Sequence, residues 1–316
     1  MKEDLEQWTE RQLAEWETAR RNYAALSDVR TRGLEVDGCL YRLQHNPARA
    51  VSSAARVDAE SLRRRKCFLC ADNLPPEQKR IPLREHYVLL LNPFPIFPRH
   101  FTIADVRHLP QRIGGRMDDL LWLSRELPAY TLFYNGPCCG ASAPDHAHFQ
   151  AGSKGFMPIE RTWPDKVGGK AGTHGKAVLY WLEEARHAWV IVSETADDAS
   201  ALFDCLYRSL PLAEGEEEPR MNVLADFDPA SGCWTLIVFP RAKHRPACYF
   251  AEGEERCLCS PASVDLGGMF ILPVERDFRK MTASGLREVL AEVCLSSEES
   301  HAVSERITTL LKAKRI

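Results

Sequence analysis

The sequence predicts an α+β fold in which antiparallel sheets carry flanking helices. Between Tyr87 and Gln150 the apolar runs read strand, strand, helix, strand, loop, strand, a meander without the strand–helix alternation of a parallel sheet. A strand, a helix and a further strand pair follow between Ala188 and Pro240. With 316 residues, 45% of them hydrophobic, the chain can bury a large core in two domains or one large one.

Composition narrows the function. The 41 Lys and Arg against 44 Asp and Glu leave a net charge of −3, so no basic excess points to nucleic acid or an anionic membrane. No apolar run reaches membrane-spanning length, and MKEDLEQWTE lacks the apolar core of a secretory signal. A cytoplasmic location is expected, where the 11 cysteines stay reduced and a few can bind metal.

Taken in order, residues 1–28 form an expected N-terminal amphipathic helix, with Leu5, Trp8, Leu13, Trp16 and Tyr23 as its packing stripe. Leu34 to Val51 alternates weakly and ends in HNPARAV, where Asn-Pro stops regular structure and Arg49 follows. An arginine there is either solvated or able to grip a phosphate with two hydrogen bonds. Cys67-Phe-Leu-Cys70 can clasp a zinc ion through a tight turn; it also reads as a redox pair or as two buried thiols. The Phe-Leu between the cysteines, with no helix opening after Cys70, argues against the redox reading. With His108 and His146 four ligands are available, enough for a closed structural site.

Tyr87 to Asn92 reads as a buried strand, Pro93, Pro95 and Pro98 as a stiff bridge, and His100 to Ala104 as a second strand. Asp118 to Leu127 is an expected helix, and Tyr130 to Tyr134 a strand running into NGPCCGASAPDHAHFQ at 135–150. Gly136, Pro137, Gly140, Ser142 and Pro144 supply turn chemistry, and a glycine-rich loop lets backbone N–H groups approach an anion. His146, His148 and Gln150 alternate, which on a strand lines one face with neighbours roughly 6.5 Å apart. The stretch therefore reads as a phosphate-holding loop leading to a strand that carries an imidazole; the plain alternative is a pair of structural histidines. A neutral imidazole can attack phosphorus and split one displacement into two. A glutamine beside it cannot protonate a leaving group, which suits a phosphate that departs unprotonated, its second pKa being about 6.

After Arg161, WPDKVGGKAGTHGKA reads as a mobile loop or linker, with Lys154, Lys166 and Lys170 either solvated or able to close on phosphate. Ala188 to Ser193 is an expected strand, Asp197 to Leu210 a helix, and Met221 to Phe227 with Cys233 to Pro240 a strand pair. Arg241, Lys243, His244 and Arg245 make a basic cluster, solvated or phosphate-holding, while Cys257 and Cys259, a CxC without nearby histidines, read as buried thiols in preference to a second metal site. SVDLGGMFILPVE reads as turn plus strand, and Ala283 to Ala291 and His301 to Lys314 as closing helices.

These residues carry a family resemblance. NPFPIFPRHFTIADVRH resembles the strand pair of the histidine-triad superfamily, with Arg99 where glycine is usual. HAHFQ is similar to the His-x-His-x-Gln motif of its transferase and phosphorylase branch, which holds galactose-1-phosphate uridylyltransferases, diadenosine tetraphosphate phosphorylases and GDP-hexose phosphorylases. HFQAGSKGFMPIE is most similar to the last group, and NPAR through MPIE also resembles an uncharacterised bacterial group of the branch. The resemblance spans about Leu40 to Arg161. It implies His148 as nucleophile and Gln150 as its phosphate-binding companion. It also implies Cys67, Cys70, His108 and His146 as ligands of a structural zinc, and Asn135, Gly140, Ser142 and Arg49 as nucleotide or phosphate contacts. It further implies two histidine-triad-like halves, a catalytic one at 29–165 and a divergent one at 166–316.

The expected activity is that of a nucleotidyltransferase of the phosphorylase type, acting on a GDP-hexose-like nucleotide sugar with phosphate, or another sugar phosphate, as acceptor. A dinucleoside polyphosphate phosphorylase would use the same residues, and a non-catalytic nucleotide-binding protein would keep the loop without turnover. The sequence does not set the oligomeric state and admits a homodimer.

Overall fold

The structure, a computed structural model, describes residues 4–50, 54 and 57–313. Its strands are β1 (Arg30–Val36), β2 (Cys39–His45), β3 (Arg80–Leu83), β4 (Tyr87–Leu91), β5 (His100–Asp105), β6 (Tyr130–Asn135) and β7 (His148–Ser153), followed by β8 (Val167–His174), β9 (Ala177–Leu182), β10 (Trp189–Ser193), β11 (Met221–Asp228), β12 (Cys233–Pro240) and β13 (Met269–Ile271). Ten of them make one sheet in the order β3-β4-β5-β7-β6-β11-β12-β10-β9-β8, antiparallel throughout. A smaller sheet has the order β1-β2-β13. There β13 runs parallel to β2, the one departure from the antiparallel expectation among the described strands.

The large sheet is built twice over. β3-β4-β5, a helix at Met117–Glu126, then β6-β7 is one pass; β8-β9-β10, a helix at Ala196–Ser209, then β11-β12 is the other. In each pass the last strand inserts between the third and fourth, and the two passes join edge to edge where β6 pairs with β11.

Strand alternation sorts the side chains. Leu89, Leu91, Phe101, Ile103, Tyr134, Phe149 and Ala151 pack with Leu120 and Leu121 of the first helix and Leu202 and Phe203 of the second. The opposite face carries Phe133, Leu224, Ile237 and Phe239, covered by Tyr41 and Leu43 of β2, Phe270 of β13 and Leu286 and Leu290 of the helix Ala283–Val293. His148 and Gln150, alternating with Phe149 and Ala151, face this second side.

Local sequence explains most boundaries. Asp37 and Gly38 both take positive φ, the two-residue turn that suits the twist of β1 and β2. The side chain of Asp4 caps the first helix, Leu5–Glu15, by accepting the N–H of Glu6 at 2.9 Å. The single N-terminal helix expected from the sequence is two, because Trp16 adopts an extended conformation that buries its ring before Glu17–Ala24 begins. Residues 1–3 lie outside the described residues.

The largest correction concerns 163–177, expected as loop or linker. It is mostly strand: β8 and β9 form a hairpin at the sheet edge. A Cβ at Gly168 would lie 2.2 Å from the Trp181 ring, so glycine there makes room for an aromatic lid on the strand. The closing helices run Ala283–Val293 and Ser297–Lys312, the second opened by a reciprocal cap between Ser296 and Glu299. No helix among the described residues is long and apolar enough to cross a membrane.

Gly152 of β7 tests this packing. A Cβ there would meet the ring of fully buried Phe97 at 2.6 Å, and that ring sits 5.3 Å from the His100 ring. Gly152→Ala is expected to destabilise the chain by about 1–3 kcal/mol through overpacking, read as a lower urea midpoint at unchanged m-value.

Candidate functional site

A cavity of about 1150 Å³ opens over β5, β6 and β7 on the face opposite the two long helices. His148, Gln150 and Thr102 line its floor, and Asn135, Gly140 and Ser142 one wall. Ser260, Ala262, Val264 and Asp265 come over from the far end of the chain, and Trp16, Phe68 and Phe94 add apolar surface.

His148 is held at three points. Its N–H donates to Gln111 Oε1 at 2.7 Å, and Gln111 Nε2 donates to the carbonyls of His148 at 2.9 Å and Asn135 at 3.0 Å. Its Nδ1 lies 2.8 Å from the His146 carbonyl. A carbonyl only accepts, so Nδ1 carries the proton and the lone pair is left on Nε2. Burial holds the ring neutral by lowering its pKa to about 4.

A second relay orients Gln150. The Ile96 N–H donates to His100 Nδ1 at 3.2 Å, so the His100 proton sits on Nε2, which donates to Gln150 Oε1 at 2.9 Å. With its oxygen engaged, Gln150 turns its NH₂ toward the cavity it lines.

Asn135 is oriented by the other half of the sheet. Its Oδ1 accepts from Asn222 Nδ2 at 2.8 Å, from the Ser263 N–H at 2.9 Å and from Ser263 Oγ at 2.7 Å. The Asn222 and Ser263 N–H groups occupy this oxygen, while the single Ser263 hydroxyl proton is shared with the Tyr134 carbonyl, also 2.7 Å away, which leaves the Asn135 NH₂ as its free face. Asn222 is set in turn by Arg241, whose Nη1 donates to Asn222 Oδ1 at 2.7 Å. Gly140, at φ +94°, approaches Ala262 so closely that a Cβ would lie 2.5 Å from its side chain. The loop 136–142 is therefore clamped between β11 and the segment 260–263.

Arg49, on a 3-10 turn at Pro47–Arg49, donates to the Phe94 carbonyl at 2.7 Å and lines the cavity. Across from it Asp265 accepts the N–H groups of Ile271 at 2.8 Å and Ala262 at 2.9 Å. Burial raises the Asp265 carboxyl to about 6.

A second constellation lies beside the first. Cys67, Cys70, His108 and His146 bring four ligand atoms within 4.8 Å of one another. Cys67 Sγ is 3.3 Å from His146 Nδ1, and Cys70 Sγ 3.2 Å from His108 Nδ1. His146 Nε2 is 2.8 Å from the Asp105 carbonyl and so carries the proton, which frees Nδ1 as a ligand. Asp145 stands 3.7 Å from His108 Nε2 and takes Arg65 Nη2 at 2.8 Å. The set matches what tetrahedral zinc requires in ligand type and number.

Two family models match the chain in series. Residues 8–153 match a domain of unknown function, DUF4922, and residues 191–314 match a model described as GDPGP1-like, C-terminal domain. The yeast Ap4A phosphorylase Apa2 shares the fold, with a TM-score of 0.55 at 18% identity over 88% of this chain and 96% of the yeast chain. Its complex with Ap4A gives 0.53 at 17% identity over 89% and 97%. No curated protein matches the chain.

The chain thus carries a DUF4922 match followed by a GDPGP1-like C-terminal match, on a fold shared with the yeast enzyme. His148, Gln150, Asn135, Gly140, Ser142 and Arg49 line one cavity, and Cys67, Cys70, His108 and His146 form one cluster. Some readings are corrected. His146 does not alternate along the strand with His148; β7 begins at His148, and His146 sits in the preceding turn with its ring on the thiols.

Lys154, Lys166 and Lys170 do not line the cavity; Lys154 pairs with Asp226. Nor does the cluster at 241–245, since Arg241 is 2% exposed and consumed by the loop network, while Lys243 reaches Glu292. Cys257 and Cys259 are not merely two buried thiols, because Cys248 joins them. Sequence reasoning missed Gln111, Asp265, Ser263 and Asn222. None sits in a motif, and only tertiary pairing brings them to the loop.

Buried histidines tie stability to pH. His100 is lowered to about 3 by burial and the neighbouring Arg49, and His244 to about 3 by burial with Arg245, Arg241 and Arg220. The unfolded chain then binds protons near 6.5 that the folded chain refuses, so stability falls as pH drops from there. Asp265, raised to about 6, acts in the opposite direction. With His148, lowered to about 4, three histidines against one acid predict a net loss of about 4 kcal/mol between pH 7 and pH 5. Urea titrations at the two pH values check this, and His244→Asn should flatten the slope.

Proposed function

We propose that this chain is a nucleotidyltransferase of the phosphorylase type that opens a GDP-hexose-like nucleoside diphosphate sugar at its α-phosphorus. The observation that carries the reading is the pair of fixed orientations on β7: a lone pair on His148 Nε2 beside an NH₂ donor on Gln150. Nucleophile and phosphate donor face the same cavity, which a structural pair of histidines has no need to arrange.

In this reading His148 Nε2 attacks the α-phosphorus, a P–N bond forms, and the bond to the bridging oxygen breaks to release sugar 1-phosphate. The leaving phosphate needs no proton, which explains an amide in place of an acid at 150. An oxygen of inorganic phosphate then attacks the same phosphorus, the P–N bond breaks, and nucleoside diphosphate leaves with His148 neutral again. Gln150 Nε2, the Asn135 NH₂, Arg49 and the N–H groups of the loop around Gly140 and Ser142 stabilise charge on the phosphoryl oxygens.

Cys67, Cys70, His108 and His146 would hold a zinc ion that orders the turn before β7. All four positions are filled by protein, so it adds no chemistry to the transfer. Thiolate ligands of this kind suit a reducing cytoplasm. The N-terminal helices at 1–28, a catalytic half at 29–165 and a second half at 166–316 are the divisions we propose. Both halves wall the cavity, so the reading needs no homodimer. The GDPGP1-like C-terminal match supports a nucleotide sugar as substrate. The fold shared with an Ap4A phosphorylase keeps a dinucleoside polyphosphate as the second reading.

Intact mass after brief incubation with GDP-, UDP- and ADP-sugars and with Ap4A, in the absence of phosphate, tests the mechanism. Wild type should gain one nucleoside monophosphate from the true substrate and lose it to added phosphate. His148→Ala should gain none and lose turnover by about 10⁴-fold or more, the scale seen when a nucleophile is removed. A wild type without adduct or turnover on any of them would leave a nucleotide-binding protein.

Zinc is tested separately. Cys67→Ser is expected to lower metal content by one ion per chain and to lower the melting temperature, with nucleotide affinity changed far less; elemental analysis and calorimetry read both.

A further inference from the structure

We infer that the chain holds a second metal site, a three-thiolate zinc site formed by Cys248, Cys257 and Cys259, and that it anchors the strap closing the cavity. The three sulfurs lie within 4.8 Å of one another, with Cys248 and Cys259 3.8 Å apart. They come from two arms: Cys248 from the short helix Ala247–Phe250, Cys257 and Cys259 from the loop beyond it. The arms are already joined, because the Cys257 N–H donates to the Cys248 carbonyl at 2.9 Å.

The surroundings are those of a prepared site. Asp277, 4% exposed, accepts the N–H of Leu258, the residue between the two cysteines, at 2.8 Å. Its other oxygen takes Arg276 Nε at 3.1 Å. A carboxylate thus fixes the loop backbone that points two thiols the same way, the outer-sphere support that metal sites require. Soft sulfur ligands select a thiophilic ion. Cys259 is buried while Cys248 and Cys257 are partly exposed, so solvent supplies the fourth position of a tetrahedral ion. Binding displaces the thiol protons and involves no oxidation.

The location gives the site its purpose. Ser260 follows Cys259 directly and lines the cavity, and Arg245 Nε holds its hydroxyl at 3.0 Å. Ala262 packs on Gly140, and Ser263 caps Asn135. The residues that complete the wall, Ser260 to Asp265, follow Cys259 within six positions. An ion there would hold the strap as the Cys67 cluster holds the turn before β7.

The site stands whether or not the functional reading does, since its test needs no substrate. Protein expressed in zinc-replete medium and purified under reducing conditions should carry two zinc ions per chain by elemental analysis. Cys257→Ser with Cys259→Ser should carry one, and so should Cys248→Ser with Cys257→Ser, while both pairs keep the Cys67 cluster. In the folded variants, hydrogen exchange of the 260–265 amides should rise at least tenfold over wild type, with the amides of β5 unchanged. Unaltered zinc content in both double variants would overturn the site. So would a disulfide between any two of the three cysteines in the purified protein, found by non-reducing peptide mapping. Unaltered exchange at 260–265 would overturn the anchoring role.

Discussion

The site depends on one seam, where β6 of the first pass lies against β11 of the second. Asn135 and Asn222 stand opposite each other in that ladder and exchange a side-chain hydrogen bond across it. Behind them Arg241 is buried without a carboxylate partner, yet every donor is met: Val293, Pro261, Lys243 and His244 offer carbonyls and Asn222 its amide oxygen. Five donors with five acceptors is the condition under which a buried guanidinium costs least. Removing any acceptor would strand a charge and release Asn222, then Asn135, then the loop. The cavity wall built by the first pass is thus set by residues of the second.

The same logic runs through the two imidazole relays. Neither His148 nor His100 is positioned by a carboxylate; each is fixed by a backbone group, a carbonyl for one and an N–H for the other. Backbone partners choose the tautomer without adding charge, and both rings stay neutral in the buried floor. A carboxylate in either place would favour an imidazolium and remove the lone pair a nucleophile needs. The buried acidic group of the cavity wall, Asp265, is instead tied to two backbone N–H groups and interacts electrostatically with Arg49.

Much of this was legible in the sequence, and the reason is local. The elements around 87–153 have strong apolar periods and clear breaks, and the motif residues sit within sixteen positions of one another. The Cys67 cluster was readable because CxxC spacing and histidine chemistry constrain each other. What escaped depends on partners far away in the chain. Gln111 acts on His148 from a loop without periodicity, and Ser263 and Asn222 act on Asn135 across 128 and 87 positions. The hairpin at 167–182 escaped because its glycines signal a loop, whereas here Gly168 and Gly169 make room for Trp181. The third thiol at Cys248 escaped because eleven positions separate it from Cys259.

Two passes of one topology share a single open face, and the second supports the first. On β12 the face that in β7 carries His148 and Gln150 carries Ile237 and Phe239, both packed in the core under β2 and the helix Ala283–Val293. A second imidazole there would be buried without a ligand to meet, which costs free energy unless it is hydrogen-bonded. Apolar residues fill the space instead, and the small sheet and the helix Ala283–Val293 close over them. The covered face leaves the second half to wall the cavity of the first. From it the segment 260–265 returns over the first half with Ser263 and Asp265 already satisfied. The chain therefore keeps one open face, and the duplicate of that face has become its support.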